Sequence, residues 1–173
     1  MFARHHRGFT LIELLITATV AILLLLLAMP GYTLWVADSQ IRNAAESVAS
    51  GLRYAQAAAI SRNLNAQFVL NAGGWDVMMV DAPAVSIQTA SFLEGSRDVT
   101  IVGVDATPAA ATTVAFNALG QVIPNATNLV QVDVTMPPVA TSRPLRVLVG
   151  NGRTGVKLCN PSAPAADPQG CPP

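Results

Sequence analysis

The sequence predicts an α+β fold in which one long N-terminal helix packs against an antiparallel β-domain. Residues 9–29 form an apolar run of 21 residues that holds a single charged side chain, Glu13. Between residues 41 and 59, apolar side chains recur at intervals of three or four, which is the period of a helix. After residue 63 the pattern changes to short alternating segments separated by turns, with no second helical pattern.

The first element is an apolar helix long enough to cross a membrane. At about 1.5 Å per residue, residues 9–29 cover roughly 30 Å, which is the thickness of the hydrocarbon core of a bilayer. This run also raises the mean hydropathy of the whole chain to +0.44. Pro30 follows the run, and we expect it to kink the helix where its apolar half ends.

The second element is the amphipathic continuation of the same helix, to about residue 62. Alanine is frequent here, which favours a helix and allows close packing. We expect one apolar stripe to pack on the β-domain; its members are Ile41, Ala45, Val48, Leu52, Ala55 and Ala59.

The remaining elements are seven or eight short strands. Residues 66–70 and 75–80 flank the turn sequence NAGG and predict a hairpin. Residues 112–116 and the return after Gly120 predict a second hairpin. In residues 129–136 the alternation places Val130, Val132 and Val134 on one face. The other candidate strands are 85–90, 99–104, 144–150 and 155–159.

The charge is uneven, although the formal net charge is zero. Residues 64–136 carry six acidic side chains and one basic one, and Asp133 and the acidic loop residues are interpreted as solvated. Residues 137–173 carry one acidic side chain, Asp167, and four basic ones: Arg143, Arg146, Arg153 and Lys157. This basic tail is either ordinary surface charge or a contact for an anionic partner.

The two cysteines, Cys159 and Cys171, lie close together near the end of the chain. In an exported protein they most simply form one disulfide, worth about 3 kcal/mol by loop-closure arithmetic. A metal site would need more ligands, and the two histidines lie at the other end of the chain, so we expect none. No catalytic motif occurs, and we expect neither an enzyme nor a cofactor.

The N-terminal segment has three possible interpretations. Arg4 and Arg7 suit the basic region of a secretory signal peptide, but the apolar run is too long and ends in a poor cleavage site. A plain transmembrane anchor, with both arginines in the cytoplasm, leaves Glu13 unexplained, because a charge within a membrane helix is costly.

The third interpretation rests on the string GFTLIE, residues 8–13, which follows the basic leader and precedes the unbroken apolar run. It resembles the class III signal of type IV prepilins and pseudopilins. The resemblance implies that a prepilin peptidase/N-methyltransferase cuts between Gly8 and Phe9 and methylates the new amine of Phe9. It also implies that Glu13 meets the N-terminal amine of a neighbouring subunit in a filament.

Two further stretches resemble the FimT/GspH group of minor pilins and pseudopilins. They are RNAAESVASGLRYAQAAAISRN, residues 42–63, and the tail 150–173, with its Gly-Arg pair and its two cysteines. The resemblance implies a pilin-like fold, with the helix against two sheets. It divides the chain into a leader (1–8), a transmembrane and filament-core half (9–29), an amphipathic half (30–63) and a β-domain with a disulfide-closed tail (64–173).

The resemblance implies a minor type IV pilin that takes part in pilus assembly, by priming or at the tip. Its partners would be the inner membrane, the prepilin peptidase, and other minor and major pilins. It would cross the bacterial inner membrane once, with a periplasmic C-terminal domain, before it enters a pilus or pseudopilus. A minor pseudopilin of type II secretion is the alternative.

A second alternative is a minor pilin that binds DNA during natural transformation. Some FimT-like proteins carry a Gly-Arg-x-Arg motif in this region, but here Gly152-Arg153-Thr154 is followed by Gly155. Lys157 would supply the second charge. The candidate phosphate contacts are Arg143, Arg146, Arg153 and Lys157.

Overall fold

The structure is a computed structural model that describes residues 9–80, 84–93, 95–137, 142–150, 155–164 and 166–172, without the side chain of Pro30. In these ranges the chain forms one helix, α1 (Leu11–Arg62), and eight strands. The strands are β1 (Ala66–Asn71), β2 (Gly74–Met79), β3 (Val85–Ser91), β4 (Thr100–Val104), β5 (Thr113–Phe116), β6 (Gln131–Thr135), β7 (Leu145–Val149) and β8 (Val156–Cys159). The predicted α+β class is confirmed.

The chain divides into two compact units, with the boundary between Val36 and Ala37, and α1 contributes to both. In the first unit the helix continues through Pro30, and every described side chain from Leu11 to Met29 is exposed. The kink predicted at Pro30 stays a prediction.

In the second unit α1 supplies one wall of the core. The predicted stripe is confirmed, since each of its six members has no exposed surface: Ile41, Ala45, Val48, Leu52, Ala55 and Ala59. Ala44 and Ala49 are buried beside them, which makes the packed face wider than the predicted stripe. Small side chains let the strands approach the helix closely.

The helix ends in a left-handed residue. Asn63 has φ +53°, and its N–H donates to the carbonyl oxygen of Ile60 over 3.3 Å. The N–H of Leu64 donates to the carbonyl oxygen of Ala59 over 3.2 Å. This pair of hydrogen bonds is the Schellman arrangement, which satisfies carbonyls at the end of the helix and turns the chain into β1.

The strands form two antiparallel sheets of four. The first sheet has the order β3-β2-β1-β5, and the second has the order β4-β6-β7-β8. The predicted hairpin of β1 and β2 is confirmed, with Asn71 opposite Gly74 at the turn. β1 also pairs with β5, where Ala66 lies opposite Phe116. The chain therefore enters the second sheet at β4 before it returns to finish the first.

A glycine on α1 makes room for the largest side chain of the hairpin. A Cβ atom added at Gly51 would lie 2.7 Å from the ring of Trp75 and 2.8 Å from the ring of Phe68. The indole N–H of Trp75 donates to the Ser47 hydroxyl over 3.0 Å, which satisfies a polar group that is almost fully buried.

One detail of the predicted strands is wrong. Val130 was placed with Val132 and Val134, but it precedes β6 and is 37% exposed, while Leu129 is buried. The chain changes sheet here, because Leu129 donates to a carbonyl of β5 and Val130 to one of β4, so the alternation restarts. The predicted second hairpin is confirmed, since the return after Gly120, which has φ +72°, pairs antiparallel with β5 through a bridge between Val122 and Phe116.

Candidate assembly and processing site

The first turn of α1 holds the acidic residue of the apolar segment. The N–H of Glu13 donates to Thr10 Oγ1 over 3.3 Å, and the N–H of Leu14 donates to the Thr10 carbonyl oxygen over 3.2 Å. Thr10 is therefore the N-cap, and Glu13 occupies the third helical position, where a glutamate is favoured. The carboxylate also lies near the positive end of the helix dipole, which stabilises its charge.

The predicted cleavage point lies directly before this turn. Phe9 precedes the helix and is 82% exposed. Gly8, and with it the peptide bond predicted to be cut, lies outside the described residues, so the cleavage stays a prediction. Four positions separate Phe9 from Glu13.

Residues 11–29 present an apolar surface on all sides of the helix. The helix is long and apolar enough to cross a membrane by length and composition, and none of the apolar stretch is buried. Its two threonine hydroxyls are satisfied internally, since Thr17 and Thr19 donate to the carbonyl oxygens of Leu14 and Ile16 over 3.0 and 2.8 Å. Such a surface requires lipid or other apolar helices around it.

The C-terminal tail is closed by the predicted disulfide, which joins Cys159 at the end of β8 to Cys171. Beside it, the N–H of Asn160 donates to the carbonyl oxygen of Gln169 over 2.7 Å, and Asn160 bridges Gly170. The disulfide and this bridge attach the tail to the second sheet.

The four basic residues proposed for DNA binding have different surroundings. Arg146 donates to both carboxylate oxygens of Asp133, from Nε over 2.6 Å and from Nη2 over 3.1 Å. The backbone N–H of Arg143 donates to the Asp38 carboxylate, and the side chain of Lys157 is exposed on β8. Arg153 lies outside the described residues. DNA binding therefore stays a prediction, and Arg146 is already engaged by a carboxylate.

The expectation of solvated acidic residues is wrong for Asp105, which is buried, whereas Asp133 is partly exposed but held in an ion pair. Asp133 is the partner of Arg146, because β6 and β7 bring these two residues opposite each other. Asp105 is 7% exposed, and its Oδ1 accepts hydrogen bonds from Thr107 and Ala109. These hydrogen bonds hold the pKa of Asp105 below its ordinary value, and the bond from the Thr107 hydroxyl has the largest effect. Burial acts in the opposite direction and raises the pKa.

Two features of the N-terminal unit were missed at the level of sequence. The Thr10–Glu13 capping pair is visible as a T-x-x-E pattern ahead of an apolar run. The exposed aromatic residues Tyr32 and Trp35 follow the apolar run directly, which is the position typical of side chains at a membrane interface. In the described ranges no group of three or more His, Cys, Asp or Glu side chains is arranged to hold a metal ion.

Two solved structures are similar to this chain. The chain is similar to the minor pseudopilin EpsH from the type 2 secretion system of Vibrio cholerae, with a TM-score of 0.52 and 13% identity over 72% of this chain and 99% of that one. It also matches the type IV minor pilin FimU of Pseudomonas aeruginosa, with a TM-score of 0.40 and 18% identity over 76% and 94% of the two chains. No curated protein sequence matches the chain.

Two family models match the sequence. The model for the prokaryotic N-terminal methylation motif covers residues 3–29, which include the string GFTLIE and the apolar run. The model for the type II transport protein GspH covers residues 44–153, more than half of the chain. The chain therefore belongs to the GspH family, and it is a minor pilin or pseudopilin whose methylation motif implies processing by a prepilin peptidase.

Proposed function

We propose that this minor pilin is a structural subunit, without enzymatic activity, that primes a type IV pilus or lies at its tip. In this proposal the Glu13 carboxylate pairs with the methylated amine of Phe9 on a neighbouring subunit. The observation that carries the proposal is the position of Glu13, the one charged side chain in the apolar surface of residues 11–29.

The physical argument is the energy of a charge among packed apolar helices. In a filament the surfaces of residues 11–29 cover one another and exclude water. A lone carboxylate there is strongly unfavourable, and removal of one partner from a buried ion pair costs about 3–5 kcal/mol. An ammonium group on the neighbouring chain satisfies the carboxylate, so Glu13 fixes the register between subunits along the filament.

The test replaces the carboxylate and measures incorporation into filaments. Glu13→Ala and Glu13→Gln should both reduce the amount of this subunit in sheared pili, while Glu46→Ala, at an exposed position of the same helix, should leave it unchanged. Cleavage of the leader is followed on gels, so that loss of processing is separated from loss of assembly. Wild-type incorporation of processed Glu13→Ala would disprove the ion-pair mechanism.

Type II secretion is a second candidate, favoured by the description of the family model that matches residues 44–153. The two machines are distinguished by the phenotype of a deletion strain. Loss of surface pili with normal export of secreted enzymes supports the pilus. Accumulation of those enzymes in the periplasm, with pili unchanged, supports a pseudopilus.

We further propose that the C-terminal domain faces the periplasm. Arg4 and Arg7 precede the apolar run, and basic residues flanking a membrane helix are retained in the cytoplasm. The Cys159–Cys171 disulfide requires an oxidising compartment, which the periplasm provides. External protease should therefore digest this domain in spheroplasts but not in intact cells; resistance in spheroplasts would contradict this orientation.

A further inference from the structure

Two aromatic residues form an exposed pair on α1 immediately after the apolar run. Tyr32 and Trp35 are 66% and 67% exposed, and their ring centroids lie 6.3 Å apart with an angle of 33° between the ring planes. They are three positions apart, so they share one face of the helix. The other tryptophan, Trp75, is 6% exposed within the core of the second unit.

The spacing between this pair and Glu13 matches a bilayer. Tyr32 and Trp35 follow Glu13 by 19 and 22 residues, with no charged residue between Glu13 and Asp38. At about 1.5 Å per residue these intervals are about 29 and 33 Å, and the hydrocarbon core of a bilayer is about 30 Å thick. When Glu13 lies at one boundary of the hydrocarbon, the aromatic pair lies at the other.

The chemistry of the pair suits that boundary. Tyrosine and tryptophan combine an apolar ring with a hydrogen-bonding group, and both are enriched where acyl chains meet headgroups. Between Glu13 and the aromatic pair, the hydroxyls of Thr17 and Thr19 donate hydrogen bonds to backbone carbonyls, so they need no partner from the lipid. The aromatic pair is thus continuous with a surface suited to lipid.

We propose that Tyr32 and Trp35 are an interfacial anchor that binds the headgroup level of the bilayer on the side of the C-terminal domain. By fixing the depth of the helix, the anchor holds Glu13 and the bond before Phe9 at the opposite boundary, where a membrane peptidase reaches them. This inference rests on the proposed membrane insertion. A neighbouring subunit is the competing occupant of the aromatic face, and the experiment below separates the two.

The first test measures the depth of Trp35. Full-length protein is reconstituted into phosphatidylcholine vesicles whose acyl chains carry bromine near the headgroup, at mid-chain or near the methyl end. The Trp35→Phe variant gives the contribution of Trp75, which should be insensitive to bromine because it is buried. After subtraction, quenching of Trp35 should be strongest with bromine near the headgroup.

Other quenching patterns would overturn the anchor. Strongest quenching near the methyl end would place Trp35 in the middle of the bilayer, and no quenching by any lipid together with strong quenching by iodide would place it in water. If quenching of Trp35 disappears as the density of protein in the vesicles rises, a neighbouring subunit and not lipid covers the face that carries Tyr32 and Trp35. Flotation of the vesicles is measured in parallel: protein that fails to float contradicts membrane insertion itself, not the anchor alone.

The second test measures the consequence for processing. The double variant Tyr32→Leu with Trp35→Leu stays apolar and helix-forming but loses the polar groups, so the helix is free to slide and cleavage should slow severalfold. The swapped pair, Tyr32→Trp with Trp35→Tyr, keeps both groups and should be cut at the wild-type rate. Equal cleavage rates for the leucine and swapped variants would overturn the depth-setting role.

Discussion

Arg146 on β7 and Asp133 on β6 lie opposite each other and form a two-point ion pair on the second sheet. About 28% of the arginine side chain and 30% of the aspartate side chain remain exposed, so solvent still screens the pair. The pair neutralises one of the four cations of the basic tail, residues 137–173. Phosphate binding by this tail would therefore depend on its other basic residues.

The first prediction concerns the salt dependence of DNA binding. If the tail binds duplex DNA, Lys157→Ala should reduce the slope of log K against log salt by about one unit, because one phosphate contact is lost. Arg146→Ala should leave the slope unchanged, because Arg146 is held by Asp133. Titrations of labelled duplex at several salt concentrations measure both slopes. A protein that does not retard DNA even at low salt would show that the DNA-binding prediction is wrong.

The second prediction concerns the packing of α1 on the hairpin. Gly51→Ala should destabilise the second unit by about 1–3 kcal/mol, because the new methyl group overlaps the rings of Trp75 and Phe68. Helix propensity alone predicts the opposite sign, a gain of about 1 kcal/mol. Urea unfolding in detergent, followed by tryptophan fluorescence, measures the change. Ser50→Ala, at the exposed neighbouring position, is the control and should be neutral or slightly stabilising.

The third prediction concerns stability in acid. The pKa of Asp105 is lowered by hydrogen bonds from the Thr107 hydroxyl, the Ala109 N–H and the Thr107 N–H. A carboxylate whose pKa is lower in the folded state stabilises the protein above its unfolded pKa, about 3.9, and this contribution is lost as the pH falls through the folded value. Below about pH 4 the free energy of unfolding should therefore fall more steeply in the wild type than in a neutral variant.

Asp105→Asn is that variant, since its amide oxygen accepts the same hydrogen bonds without a charge. Urea unfolding at several pH values between neutrality and strong acid gives the free energy for both proteins. The other acidic residues titrate in both, so the difference between the two curves isolates Asp105. Parallel curves below pH 4 would contradict the assigned role of the carboxylate.

The sequence predicted the features that depend on neighbouring positions along the chain. The buried stripe from Ile41 to Ala59 follows from helical periodicity, and the first hairpin follows from its turn sequence. The processing string at residues 8–13 is a linear motif, which needs no knowledge of the fold to be recognised. The arrangement of the strands in two sheets was predicted only from the resemblance to the FimT/GspH group.

Features that depend on distant partners were not predictable. The pairing of Asp133 with Arg146 requires the register of β6 against β7. The burial of Leu129 and the exposure of Val130 require hydrogen bonds to β5 and β4, two strands of different sheets. Residue type and alternation are the same in either arrangement, so the sequence pattern alone does not choose between them.

The interleaving of the two sheets has a consequence for how the domain folds. β1 pairs with β5 across 50 positions, from Ala66 to Phe116. This interval contains β4, which pairs with β6 in the second sheet. Neither sheet is a contiguous stretch of chain, so neither is a separable folding unit. We expect one cooperative unfolding transition and slow folding, as for domains dominated by contacts between distant positions. A chain truncated before β8 would keep every strand pair of the first sheet but would leave β7 as the bare edge of the second, with unpaired backbone groups that invite aggregation.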